Sequence, residues 1–232
     1  MIHSQKIDFY RHLSFAMTGG FFGAYALLCR SGILANAQTM NLLELVINAL
    51  RGNFLAVLLH LGVLAVYVAG TMLTVLLPHF FRLNNHHLSA VIDAAALLLL
   101  GFLPQDMNVL LSLYPIFFAM SFQWSSFSGA QDFVSSTIFS TNNTKQASLA
   151  FAQYLCDRDT THFRKARFYL YTLLAFHVGA SISYFAVKLL FLRGAWLGIP
   201  LTVLAYYMVA CEEQYEKIRL LDDDLPVDAV TE

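Results

Sequence analysis

Charged side chains are scarce in this chain, and one long segment has none. Only 12% of the 232 residues are Asp, Glu, Lys or Arg, about half the share found in soluble domains. Residues 52–81 carry no formal charge, and this run is longer than the ~20 residues that cross the hydrocarbon core of a bilayer. The scarcity excludes most classes of soluble enzyme and predicts a membrane protein.

Other absences narrow the function further. The 14 basic residues are balanced by 15 acidic ones, which leaves no excess of positive charge for binding nucleic acid. The common motifs of hydrolases, metalloproteases and phosphate-binding loops are missing, so we expect no catalytic residues, no metal and no cofactor. The three cysteines are widely spaced without a metal-binding pattern and are expected as free thiols.

Charged residues divide the apolar parts of the chain into six predicted transmembrane helices. These cover residues 12–29, 52–81, 88–103, 107–131, 168–187 and 194–211. The third and the sixth are short for a membrane crossing. We therefore predict an all-α, polytopic fold, with residues 1–232 forming a single integral membrane domain that ends in an acidic tail at residues 212–232.

The distribution of Lys and Arg predicts the orientation of these helices. With six crossings, most of the basic residues fall on the side that holds both termini. Basic residues concentrate on the cytoplasmic side of membrane proteins. Both termini, including the acidic tail, are therefore expected in the cytoplasm, and no cleavable signal peptide is expected at the start.

Two parts of the chain, about 12–104 and about 107–211, resemble each other. The pattern His-x-Gly-x-x-x-x-Tyr occurs at His60 and again at His177, each time inside a long apolar segment. Each part holds three predicted helices, and an odd number inverts the second part relative to the first. Two inverted three-helix repeats are a recurring construction of secondary transporters, although channels use inverted repeats too.

A polar segment follows the first predicted helix of each repeat, at residues 36–41 and 135–143. One interpretation is a pair of broken or re-entrant segments that meet near the midplane and contact a solute. The alternative is ordinary loops and helix caps at the membrane surface. The polar stretch around residue 123 must also face the bundle interior. The candidate solute-binding residues are Gln38, Thr39, Asn41, Gln123, Ser140 and Asn142.

Three titratable residues inside apolar segments are candidates for proton coupling, namely Asp93, His60 and His177. An ionised carboxylate near the bilayer centre costs at least ~2.5–3.5 kcal/mol, so Asp93 is expected to face a cavity, to pair or to be protonated. The alternative for the two histidines is a packing role, with interhelical hydrogen bonds worth ~0.6–2 kcal/mol each.

Gly20 to Ala24 are followed by the polar residues 36–41, and Met120 to Trp124 are followed by Ser140 to Asn142. On these stretches the chain resembles a known family, the YoaK-like bacterial membrane proteins, or domain-of-unknown-function family 1275, and the resemblance covers most of residues 13–210. The chain has Gly23, Met40 and Ser121 where the family pattern has Asp, Gly and Gly. The resemblance implies a bacterial inner-membrane protein with about six spans, and it implies no established substrate.

The leading hypothesis is a small-solute transporter or permease of the bacterial plasma membrane. Its site offers neutral hydrogen bonds, and a strongly charged solute is less expected because few compensating charges lie in the spans. An oligomeric channel, a membrane scaffold or sensor subunit without transport, and an intramembrane enzyme are the alternatives. The expected partners are membrane lipid and a small-molecule solute, and a homo-oligomer stays open.

Overall fold

A computed structural model describes residues 2–30 and 32–223, with side chains described for residues 6–30 and 32–221. Helices dominate these residues, which confirms the all-α expectation. In chain order the elements are α1 (Ile2–Cys29), α2 (Gln38–Leu50), α3 (Phe54–Phe81), α4 (Asn85–Leu100), α5 (Val109–Ser126), β1 (Gly129–Ala130), β2 (Phe133–Val134), α6 (Thr141–Asp157), α7 (Thr160–Leu190), a 3-10 helix (Phe191–Gly198) and α8 (Ile199–Asp223).

Several helices are long and apolar, as is typical of membrane proteins. By length and composition, four stretches of the described chain are able to cross a membrane: Lys6–Cys29, Phe54–Phe81, Val109–Ser126 and Thr160–Leu221. The last stretch contains both α7 and α8, and α4 is a shorter apolar helix. Each of the six predicted apolar segments therefore overlaps one of the helices α1, α3, α4, α5, α7 and α8.

The structure departs from the expected boundaries at the end of the fourth segment and in the acidic tail. The fourth predicted segment, 107–131, ends as a helix at Ser126, because an antiparallel hairpin of β1 and β2 follows. Positive φ angles at Gly129, Gln131 and Asp132 form this turn, and they are incompatible with a continuing helix. The first part of the acidic tail continues α8 as far as Asp223, while residues 224–232 lie outside the described residues.

The helices pack in a pattern that occurs twice. Helix α1 packs on α7 and α8, and α5 packs on α3 and α4. The short helices α2 and α6 pack on α3 and α7 respectively. Let α1, α2, α3 and α4 correspond to α5, α6, α7 and α8 in that order. Each of these contacts then has a corresponding contact in the same set.

Contacts at the two ends of the bundle show how the helices run. At one end Arg11 forms an ion pair with Glu212 and a hydrogen bond with His86, at 3.5 Å. These residues lie early in α1, in the middle of α8 and at the start of α4. At the other end Trp196 Nε1 donates to Leu98 O at 3.1 Å, which joins the 3-10 helix directly before α8 to the end of α4. Helices α1 and α4 therefore run in one direction and α8 in the other.

Buried and exposed apolar residues have separate places in this bundle. Phe21 and Phe22 of α1 and Phe117 of α5 are buried in the main core. Large apolar side chains of α3, such as Phe54 and Leu58, lie on the outside. An apolar outer surface suits contact with lipid chains, in which the backbone polar groups of a helix are satisfied internally.

Candidate functional site

The segment between α1 and α2 folds back into the bundle. Asn36 is fully buried, and its Nδ2 donates to Gly19 O at 3.0 Å and to Ile138 O at 3.2 Å. Gly19 lies ten residues before the end of α1 at Cys29, which is about 15 Å along a helix and so about half of a ~30 Å hydrocarbon core. The segment therefore reaches the middle depth of α1.

The segment between the hairpin and α6 reaches the same depth from the opposite end. Gln123 Nε2 donates to Thr137 Oγ1 at 2.7 Å and to Phe15 O at 3.1 Å. A Cβ on Gly19 would lie 2.3 Å from Thr137 O, so only glycine permits this close approach. The structure thus brings the two predicted polar segments together inside the bundle, with Asn36 bridging them.

A cavity of about 570 Å³ lies beside this junction. The first residues of α2 and of α6 both contribute to its wall, and aromatic side chains from α3 and α5 complete it. A second cavity of about 500 Å³ adjoins it and shares Trp124, Phe139 and Asn142. The residues that line the first cavity are Ala37, Gln38, Thr39, Tyr67, Trp124, Phe139, Thr141, Asn142 and Lys145.

The starts of α2 and α6 differ from the starts of α3, α4, α5 and α7. Asn53, Asn84, Asn108 and Asp159 cap α3, α4, α5 and α7 by accepting a hydrogen bond from a backbone N–H. Among the described residues, neither α2 nor α6 receives such a side-chain cap. The first N–H groups of a helix otherwise need partners from outside it, and they carry the positive end of the helix dipole.

The predicted solute-binding residues divide into two groups. Gln38, Thr39 and Asn142 line the cavity. The other three, Asn41, Gln123 and Ser140, have structural contacts: Asn41 and Gln123 are buried in hydrogen bonds, and the carbonyl of Ser140 accepts the N–H of Thr144 in α6.

Hydrogen bonds connect His60 to the cavity wall. Asn41 Nδ2 donates to the backbone carbonyl of His60 at 3.3 Å and to Gln38 Oε1 at 2.8 Å. Because a carbonyl only accepts, Asn41 Oδ1 must face His60 Nδ1, 2.8 Å away, and that nitrogen carries the donated proton. Gln38 is thereby oriented with its oxygen toward Asn41. Its Nε2 is buried and meets no acceptor among the described residues.

The other two candidates for proton coupling lie apart from this cavity wall. His177 is exposed on α7, and its Nδ1 bonds the carbonyl of Leu173 in the same helix at 2.7 Å. The sequence pattern shared by His60 and His177 thus has unlike surroundings in α3 and α7. Asp93 is fully buried in α4, and within the described part of the chain neither of its carboxylate oxygens has a hydrogen-bond partner.

Six residues of the cavity wall lie outside the predicted solute-binding set: Ala37, Tyr67, Trp124, Phe139, Thr141 and Lys145. Tyr67, Trp124 and Phe139 are aromatic residues in apolar surroundings, where packing is the ordinary expectation. Lys145 was assigned to a loop between predicted spans. Its spacing from Thr141 was the available signal, because residues four apart lie on one face of a helix.

Comparison with known proteins gives the family. The model of the family described as a protein of unknown function, DUF1275, matches residues 12–210. No curated protein and no solved structure matches the chain. The match covers most of the chain and agrees with the resemblance seen in the sequence, so the protein belongs to the DUF1275 family.

Proposed function

We propose that this protein transports a small solute across a membrane and holds the solute in the cavity between the starts of α2 and α6. One observation carries the proposal: residues from both halves of the chain line a cavity beside the point where two polar segments meet at the middle depth of α1. Irregular backbone is tolerated at membrane depth where it is buried in protein or lines a cavity.

The proposal includes two inverted repeats with three crossings each. Helices α1, α3 and α4 cross in the first, and α5, α7 and α8 cross in the second. After α1 and after α5 the chain turns back into the middle of the bundle. The short helices α2 and α6 then lead it out again to the side from which it turned back. The repeated packing pattern and the helix directions support this arrangement. Two such halves enclosing one site are able to open it to either side by rocking.

The location in the cell is part of the same proposal. A bacterial plasma membrane with both termini in the cytoplasm agrees with the excess of Lys and Arg on that side. Labelling of single introduced cysteines with a membrane-impermeant reagent tests it in intact cells. Cysteines introduced at Lys6 and at Lys217 are expected to stay unlabelled, whereas a cysteine introduced at Gln105, between α4 and α5, is expected to react. The reverse pattern contradicts the orientation.

The experiment for transport begins with a solute screen on the purified protein. A solute that binds the native state raises its apparent thermal stability. Hits are then tested for uptake into liposomes. Gln38→Ala and Asn142→Ala are expected to weaken both the thermal shift and the uptake, since both side chains line the cavity. Ser181→Ala is the control, because that hydroxyl is exposed and bonds the carbonyl of His177 in its own helix.

The form of the uptake decides between the classes of function. A transporter shows uptake that saturates with solute concentration and accelerates when the same solute is preloaded inside. A channel shows flux that does not saturate and a current at fixed potential. Flux that is absent for every solute that binds contradicts the proposal and favours a scaffold or sensor.

A further inference from the structure

We infer that a groove between α6 and α7 binds an anionic phospholipid of the surrounding bilayer, with the lipid phosphate at Arg158 and Arg167 and an acyl chain along the apolar side chains. The inference uses the proposed topology, in which the turn between α6 and α7 faces the cytoplasm. It does not depend on transport, and it concerns a surface apart from the solute cavity.

The groove has a volume of about 320 Å³ and is open toward the outside of the helix pair. Phe151 of α6 and Phe163 and Leu170 of α7 line it, and each of these side chains is about half exposed. Among the described residues that line the groove, Arg167 carries the only charge. The groove therefore offers an apolar surface for a lipid chain and one cation beside it.

The position of the groove along α7 matches the border between lipid headgroups and hydrocarbon. Residues 168–187 carry no formal charge, and Arg167 directly precedes them. Charged side chains are rare in the hydrocarbon region, so this border lies close to Arg167. Leu170 lies about 4.5 Å further into the membrane, and Phe163 lies one turn to the headgroup side. The groove crosses the border as a phospholipid does.

Basic residues are concentrated at this end of the groove. Four of them lie within ten positions of the turn between α6 and α7, namely Arg158, Arg164, Lys165 and Arg167. Clusters of Lys and Arg immediately cytoplasmic of a transmembrane helix attract anionic lipids, and the cytoplasmic leaflet is the one that carries a negative surface potential.

The neighbouring carboxylates do not neutralise these basic residues. Asp157 Oδ2 lies 3.2 Å from His162 Nε2, and Asp159 Oδ1 accepts the backbone N–H of Thr161 at 2.8 Å. Within the described ranges, none of the four basic residues forms an ion pair with a carboxylate. A lipid phosphate is the counter-ion that the bilayer supplies at this depth, and charge-assisted hydrogen bonds to it are strong.

Aromatic contacts place Arg158 near the groove and Arg164 away from it. The Arg158 guanidinium lies over the ring of Tyr154, 5.7 Å from its centroid, and Tyr154 packs on Phe163 with centroids 5.1 Å apart. Arg158 is thus separated from the groove by one ring contact. The Arg164 guanidinium lies over Phe133 of β2, 5.6 Å from the ring centroid, and so faces the hairpin. Arg164 therefore provides a matched control of equal charge.

Quenching of tryptophan fluorescence by brominated lipids measures which lipid occupies the groove. The two native tryptophans are replaced by phenylalanine. Phe151→Trp then places one reporter in the groove, and Val75→Trp, at an exposed position of α3, reports on the general lipid surface. The full-length protein is reconstituted into vesicles of equal parts phosphatidylglycerol and phosphatidylcholine, in which one or the other lipid carries the bromine.

We expect the reporter at Phe151 to favour phosphatidylglycerol over phosphatidylcholine about fivefold or more, and the reporter at Val75 about twofold or less. Arg167→Gln is expected to lower the preference at the groove about fivefold, because one basic residue near an anionic surface contributes about this factor. Arg164→Gln is expected to lower it about twofold or less. Native mass spectrometry of the protein with both native tryptophans is expected to retain phosphatidylglycerol, and to lose it in Arg167→Gln.

Three results overturn the inference. These are an equal lipid preference at the two reporters, an unchanged preference in Arg167→Gln, or displacement of phosphatidylglycerol by free inorganic phosphate, which indicates a site for any anion. Arg167 is exposed, so its variant is expected to keep the fold. Lipid preference without flux of any solute contradicts transport alone, and saturable flux without lipid preference contradicts the lipid inference alone.

Discussion

Two helix crossings, α1 with α7 and α3 with α5, occupy corresponding places in the packing pattern and are built from different contacts. At the first crossing a Cβ on Gly179 would lie 1.8 Å from the backbone carbonyl oxygen of Met17. At the second, a Cβ on Gly62 would lie 2.0 Å from the Tyr114 hydroxyl. A side chain can rotate away, whereas a backbone moves only with its whole helix. The two crossings therefore differ in the substitutions that they tolerate, although corresponding helices form them.

The largest expected effect comes from breaking the first crossing. Gly179→Ala is expected to lower the free energy of unfolding by about 3 kcal/mol or more, because overpacking against backbone forces helices apart. Gly62→Ala is expected to cost about 1–2 kcal/mol, and less in a Tyr114→Leu background, since the shorter side chain leaves room. Unfolding in detergent measures both. Equal tolerance of the two alanines contradicts the contrast.

Asparagines at the start of α6 provide a smaller, matched test. Asn143 is buried and donates to Ser136 O at 2.7 Å and to Phe139 O at 3.2 Å, so Asn143→Ala is expected to cost about 1–3 kcal/mol. Asn142 is exposed to the cavity, and Asn142→Ala is expected to change stability by less than about 0.5 kcal/mol. Thermal unfolding of both variants checks this. A large loss in Asn142→Ala argues for a structural role at that position.

Asp93 distinguishes α4 from its counterpart α8, whose buried residues Leu201, Thr202, Ala205 and Val209 include no carboxylate. An ionised, unpaired carboxylate in the membrane interior is costly, so we expect Asp93 to be neutral and to exchange a proton during transport. Asp93→Asn keeps the shape and is expected to remove the pH dependence of uptake, with a change of about tenfold at the pH where wild type is fastest. Uptake that keeps its pH profile in this variant contradicts proton coupling at Asp93.

The smallest expected effect concerns the caps of α3 and α7. Asn53 caps α3 and Asp159 caps α7, and hydrogen bonds from Thr161 hold the pKa of Asp159 below its usual value. A lowered carboxyl pKa stabilises the fold above the unfolded-state pKa, and this contribution is lost as the pH falls through the folded-state value. Asp159→Asn is expected to flatten the acid end of the stability profile slightly, and Asn53→Asp is expected to steepen it. Thermal unfolding between neutral and acid pH measures both, and identical profiles contradict the assignment.

The sequence predicted the helices well for a physical reason. Charged residues are rare in long apolar helices, so Arg30 and Arg82 mark the ends of α1 and α3 closely. Arg11 and Lys188, in contrast, lie inside α1 and α7, which extend beyond their apolar segments. The two polar segments were also recognised, because amide and hydroxyl side chains interrupt the apolar pattern. The two polar segments meet because Gly19 permits a close approach of two backbones and Asn36 bonds both. Such contacts join residues far apart in the chain, and local sequence patterns do not predict them.

The candidate site was predictable only in part for the same reason. Gln38, Thr39 and Asn142 stand where polar residues start a helix, and they line the cavity. Asn41 looks equivalent in sequence but points to His60, since its place in the first turn of α2 turns it toward α3. His60 and His177 share a sequence pattern, but the pattern does not predict which face of each helix packs against another helix.

Thiol labelling tests most directly the claim that both short helices begin at one water-accessible cavity inside the membrane domain. In a background without Cys29, Cys156 and Cys211, we expect Thr39→Cys and Asn142→Cys to react from the same side with a hydrophilic reagent, while Leu43→Cys on the outer face of α2 reacts slowly. Reaction of the two cavity positions from opposite sides, or of Leu43→Cys as fast as both, would contradict a shared cavity.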